Sequence, residues 1–154
     1  GPDAVTGSTE DNVATVATGI GVTVIGRLTG ALDARRGRPG DLVVCAGLPL
    51  SAPRHQIYIG HPQQVGVAGV LAALESGLPH DALPVGSKGL GWEVPQLASV
   101  AGLDFEWLPH PLEVDASGGP SSCVLFALAP DSVDQLGMLL GADCPLTPVA
   151  RLLG

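Results

Sequence analysis

Lysine is almost missing from this chain: Lys88 is the only one, beside six arginines and fifteen acidic residues. A formal net charge of −8 leaves no basic face with which to displace the counterions of a polyanion, which argues against nonspecific binding to nucleic acid or an anionic membrane. An anionic ligand has to be held locally, by backbone amides, a few basic residues or a bridging metal ion. Apolar runs long enough to span a bilayer are absent and the opening residues do not read as a signal peptide, so a cytoplasmic location is expected. Cys45, Cys123 and Cys144 are odd in number, widely spaced and set among apolar neighbours, which suits buried thiols better than a disulfide framework. His55, His61, His80 and His110 are equally dispersed, and none stands at zinc-ligand spacing from another histidine or a cysteine. Four catalytic signatures are also missing: GxSxG, CxxC, HExxH and the Rossmann fingerprint, since the glycines of GIGVTVIG are wrongly spaced and run into a strand.

What is present reads as a folded domain. The 154 residues are 45% apolar and only 14% charged, and 22 glycines with 14 prolines predict short elements joined by sharp turns. The chain is organised around Leu83 to Glu93, LPVGSKGLGWE. Amides freed by Gly86, Gly89 and Gly91 can turn toward an anion, the start of a helix adds partial positive charge, and Lys88 adds a full one. This is not a P-loop, because Gly89 stands where that motif needs a hydroxyl after the lysine. Thr6 to Asn12, TGSTEDN, gathers Glu10 and Asp11 with Ser8, Thr9 and Asn12, oxygen ligands of the kind magnesium takes together with substrate phosphates. Ala116 to Ser122, ASGGPSS, is a second loop of small residues. Each of the three stretches also reads as a plain turn.

Between them strands and helices alternate. Val13 to Leu28 reads as a Val- and Thr-rich strand, and Asp41 to Gly47 as a continuous apolar strand at the centre of a sheet. Gln56 to Ile59 reads as a short edge strand. A helix is expected from Pro62 to Gly77, a second around Trp92 to Ala101 closed by Gly102, and a third from Pro130 to Gly141. Short strands are expected at His80 to Val85, Leu103 to Trp107, Cys123 to Ala129 and Val149 to Leu153. The fold class is therefore α/β or α+β, a mixed β-sheet layered with about three helices. The three polar loops are expected to converge at one edge of that sheet.

The order TGSTEDN, TGIGVTVIGRL, GRPGDLVVCAG, HDALPVGSKGLGWEVPQLASVAGL, SGGPSSCVLFAL and LTPVARLLG resembles the aminoimidazole ribonucleotide synthetase-like superfamily, which includes thiamine monophosphate kinase, selenophosphate synthetase and a hydrogenase maturation protein. PVGSKGLGWE and SGGPSS are most similar to the related branch that includes α-ribazole kinase. The resemblance implies a PurM C-terminal domain-like fold over 29–154, with 1–28 as the last strands of an N-terminal ATP-binding-type domain or a leading strand. It implies ATP-dependent phosphoryl transfer with ATP and magnesium, a small-molecule substrate, and a homodimer or a missing N-terminal domain as partner. Glu10 and Asp11 then hold metal, Gly86, Ser87, Lys88 and Gly89 hold nucleotide or phosphate, and Lys88 stabilises the moving phosphoryl group. Ser117, Gly118 and Gly119 match a loop that lies near nucleotide or substrate. Several relatives carry an aspartate where Ser87 and Lys88 stand. The alternative is a stand-alone noncatalytic module that binds a small ligand or a partner.

Overall fold

The structure, a computed structural model, describes Ile25, Arg27, residues 36–119 and residues 122–154. The expected TGSTEDN turn and nearly all of the expected strand from Val13 to Leu28 lie outside the described residues. Five strands and three helices follow in chain order: β1 (Leu42–Ala46), α1 (Val67–Ser76), β2 (Asp81–Pro84), α2 (Leu90–Ala101), β3 (Asp104–Trp107), β4 (Val124–Leu128), α3 (Val133–Leu140) and β5 (Leu146–Leu153). A short 3-10 turn, Pro130–Ser132, leads into α3.

The strands form one sheet in the order β2-β4-β1-β5-β3. β1 lies at its centre, as its apolar run requires. All four pairings are antiparallel, so the sheet of this α+β fold is antiparallel where a mixed one was expected. Alternating strands and helices suggest parallel neighbours, and each helix here does join two strands of the same direction. The difference is that another strand fills the space between them. α1 links β1 to β2 across β4, α3 links β4 to β5 across β1, and α2 spans the sheet from edge to edge. It follows that β1, β2 and β3 share one direction, so the loops after all three leave the same end of the sheet.

Side chains of successive strand residues alternate between faces, and both faces are covered. Val43, Cys45, Leu125 and Ala127 point to the layer formed by Leu90, Val94, Leu97 and Ala98 of α2. Val44, Ala46, Phe126 and Leu128 point the other way, against Ala73 of α1 and Leu136 of α3. That two-sided burial is why β1 and β4 are apolar throughout. The register of β1 on β5 shifts between Val43 and Val44, leaving Val149 as an extra residue. Pro148, which cannot donate to a ladder, sits beside this bulge.

Several expectations differ, and β5 begins at Leu146 where Val149 was expected. α1 begins at Val67, five residues after Pro62, because residues 62–66 leave the helical path: Val65 bonds through its N–H to the Ser122 carbonyl at 3.0 Å. Gln56 to Ile59 is irregular and forms no strand. The other stops hold, since Gly77 and Gly102 close α1 and α2 in the left-handed conformation at φ 72° and 70°.

Candidate functional site

The glycine–lysine loop runs from the end of β2, where Pro84 is exposed, into α2. Val85 anchors it, donating its N–H to the Cys123 carbonyl at 3.1 Å. The three glycine amides then turn inward. Gly86 donates to the Glu93 carboxylate at 3.3 Å, Gly89 to the Gly86 carbonyl at 3.2 Å and Gly91 to the Val114 carbonyl at 2.8 Å. Glu93 lies in the first turn of α2 and already supplies a negative charge where an anion was expected. Gly89 is held at φ +70°, and a Cβ there would lie 2.5 Å from the Val114 carbonyl oxygen and 2.7 Å from that of Ala116. The glycines therefore let this loop press against the segment that follows β3.

Lys88 and Ser87 are exposed. The Lys88 ammonium sits 3.6 Å from the centroid of the Trp92 ring, a cation–π contact between the loop and the first turn of α2.

The SGGPSS loop meets the glycine–lysine loop directly, because Gly118 donates its N–H to the Gly86 carbonyl at 3.0 Å. A Cβ on Gly118 would lie 2.7 Å from the Val85 carbonyl oxygen, so this contact also needs glycine. Ser117 accepts the Gly119 N–H at 3.2 Å. Ser122, 3% exposed, is the joint between the loops after β1 and β3. Its hydroxyl oxygen accepts the Leu50 N–H at 2.8 Å, and its proton faces the carbonyls of Leu48 at 2.8 Å and Gly118 at 3.2 Å. An open cleft of about 260 Å³ lies between those walls, lined by Arg54, His55, Glu113 and Ser117 over Leu50 and Leu112.

Two of the three expected loops are thus brought together, and Ser117 reaches the cleft. Glu10 and Asp11 lie outside the described residues. Among the described residues no group of three or more His, Cys, Asp or Glu side chains is gathered to hold a metal ion. Sequence reasoning passed over Arg54, His55 and Glu113, which carry no motif and meet only because two loops leave the same end of the sheet. His80, close to the glycine loop in sequence, precedes β2 and so lies at the opposite end. Its Nδ1 bonds the buried Asp41 carboxylate at 2.8 and 3.0 Å.

The thiols are free, as expected. A hydrogen bond with Cys123, reinforced by burial, pushes the Cys45 thiol far above its ordinary range, and burial raises Cys144 as well. The same hydrogen bond lowers Cys123, so only Cys45 and Cys144 are held protonated, and a thiol so held is a poor nucleophile.

No family profile matches the chain, and no curated protein matches it. Solved structures do. PurL of Thermotoga maritima complexed with FGAR superposes with a TM-score of 0.58 at 16% identity over 79% of this chain and 25% of that one. The ATP complex of the same protein gives 0.57 at 19% identity, over 79% of this chain and 23% of that one. The fold is PurM-like. The protein tt0281 of Thermus thermophilus shares it too, with a TM-score of 0.52 at 22% identity over 78% of this chain and 48% of that one. The chain therefore spans about a quarter of the PurL chains and about half of the Thermus protein. At such identities the likeness is one of fold.

Proposed function

We propose that this chain is the C-terminal, substrate- and nucleotide-binding portion of an ATP-dependent small-molecule kinase or synthetase, with α-ribazole kinase as the model of its chemistry. The observation that carries the reading is that the loops after β1, β2 and β3 are stitched together at one end of the sheet around an open cleft. PurL, which shares the fold, binds ATP and FGAR in its crystal structures, which favours the same ligand classes here. In this reading residues 29–154 form the C-terminal PurM-like domain, 1–28 end an ATP-binding-type domain, and Glu10 and Asp11 hold magnesium. Ser87, Lys88 and Ser117 face nucleotide phosphate, the Gly118 and Gly119 amides being engaged within the loops, and Lys88 leaves Trp92 to neutralise the transferring group. Such catalysis is positioning and charge neutralisation, without a covalent intermediate. A homodimer working in the cytoplasm completes the proposal.

One observation favours a second reading, a noncatalytic module that binds a small ligand or a partner. The Gly86, Gly89 and Gly91 amides are engaged inside the protein, so Ser87 and Lys88 alone face outward from that loop. Calorimetric titration with magnesium-ATP separates the two. Binding that is lost in both Lys88→Ala and Glu10→Ala is the result expected of the enzyme part. A well-folded chain that binds no nucleotide is the result expected of the module.

A further inference from the structure

α1 is apolar on the side that faces the sheet and also on the side that faces away from it. Ala73 is buried and Val70 packs against the same cluster, whereas Val67 is 77% exposed and Leu71 52%. Those two stand four residues apart, one above the other on the outer face. A helix apolar all round is ordinarily a covered one. Charge is absent from the whole neighbourhood, since no Asp, Glu, Lys or Arg stands between His55 and Glu75. The exposed Tyr58 and Ile59 carry the apolar surface past the start of the helix, where they line one groove with His61, Gly66 and Val67.

The two ends of α1 point to what covers it. At its start Gly66 provides no side-chain cap and the first turn holds no acidic residue, which leaves the first amides and the positive end of the dipole without a side-chain acceptor. His61 adds a donor beside them: its Nδ1 accepts the Gln63 N–H at 3.1 Å, so the ring proton is on Nε2. In the last turn the balance is reversed. Glu75 is exposed there, no basic residue accompanies it, and a carboxylate at that end opposes the dipole. Each end lacks what the other has in excess. Val67, Leu71 and Glu75 are evenly spaced along one face. An antiparallel copy related by a two-fold axis at Leu71 therefore sets leucine on leucine and each Glu75 on the uncapped start of the facing helix.

We infer that α1 is the contact of a two-fold homodimer, packed antiparallel on its own copy with Leu71 at the axis. A chain of net charge −8 meets a second copy with least repulsion through a surface whose middle carries no charge. The inference rests on the reading above only for the homodimer itself, to which it gives a surface; nucleotide binding does not enter it.

The test is sedimentation of the full chain over a wide range of concentration, with the urea midpoint of each variant measured at the lowest. The parent is expected to dimerise. Leu71→Glu should raise the dimer Kd about tenfold or more, because two carboxylates then meet at the axis. Val100→Glu adds the same charge at an exposed site on α2, on the other face of the sheet, and should leave the Kd unchanged. Glu75→Lys should raise the Kd about threefold or more, since a cation then faces the positive end of each partner helix. It should leave the monomer at least as stable, because a cation suits the end of its own helix, and so separates a lost contact from a lost fold. A dimer unmoved by Leu71→Glu and Glu75→Lys overturns α1 as the surface and leaves the homodimer standing. A chain that stays monomeric overturns both. Equal losses in Leu71→Glu and Val100→Glu assign the effect to net charge and also overturn the inference.

Discussion

Asp41 carries more structural responsibility than its place in a short turn suggests. It is 3% exposed, and its carboxylate accepts the Arg38 N–H at 2.8 Å besides the His80 ring nitrogen. Removing one partner of a buried pair strands the other, so Asp41→Ala is expected to cost about 3 kcal/mol in urea unfolding. It should leave ligand binding at the far end of the sheet unchanged in the same titrations. Nothing in the spacing of Asp41 and His80 announces the pair. They meet because β1 and β2 run in the same direction with β4 between them, which brings their first residues to one level. The cleft residues Arg54, His55 and Glu113 were hidden for a similar reason, since long-range contacts leave no local trace in a loop.

At the scale of elements, α2 and the loop that starts it behave as one unit. Its stop was legible, because Gly102 after an apolar periodic run reads as a left-handed cap. Its start was less so. The apolar residues Trp92 and Val100 mark the helix in sequence, yet both are exposed, and the buried face is Leu90, Val94, Leu97 and Ala98. The two positive-φ glycines that flank the helix make a controlled comparison. Gly102 has open space around it, so Gly102→Ala bears only the left-handed penalty, about 1–2 kcal/mol. Gly89→Ala bears that penalty and a collision with the Val114 and Ala116 carbonyls, and it should be the more destabilising of the two in urea unfolding. Equal costs would mean that the loop can shift away from its neighbour without loss.

For the whole molecule, a central sheet buried on both faces ties stability to pH through its thiols. The hydrogen bond between Cys45 and Cys123 raises the first above the ordinary 9.0 and lowers the second, so its effects offset within the pair, while burial disfavours the charged form of both. On balance the folded pair holds a proton that the unfolded chain releases. The stabilising contribution is complete below the ordinary value and declines as pH rises above it. The urea midpoint is therefore expected to fall between about pH 8.5 and 10, and Cys45→Ala should flatten the fall. An unchanged slope in that variant would assign the pH dependence to other groups.

The sequence alone determined the inventory: a central apolar strand at Asp41 to Gly47, three helices, their glycine stops, free thiols and an α+β class. These are local properties, because periodicity, capping and two-sided burial are written into neighbouring residues. The tertiary structure decided what the glycines near Lys88 are for, which loops share an end, and which charged side chains meet in the cleft. Those outcomes depend on strand order and direction. A chain in which each crossover helix leaves room for an antiparallel strand sets its contacts between residues far apart in sequence.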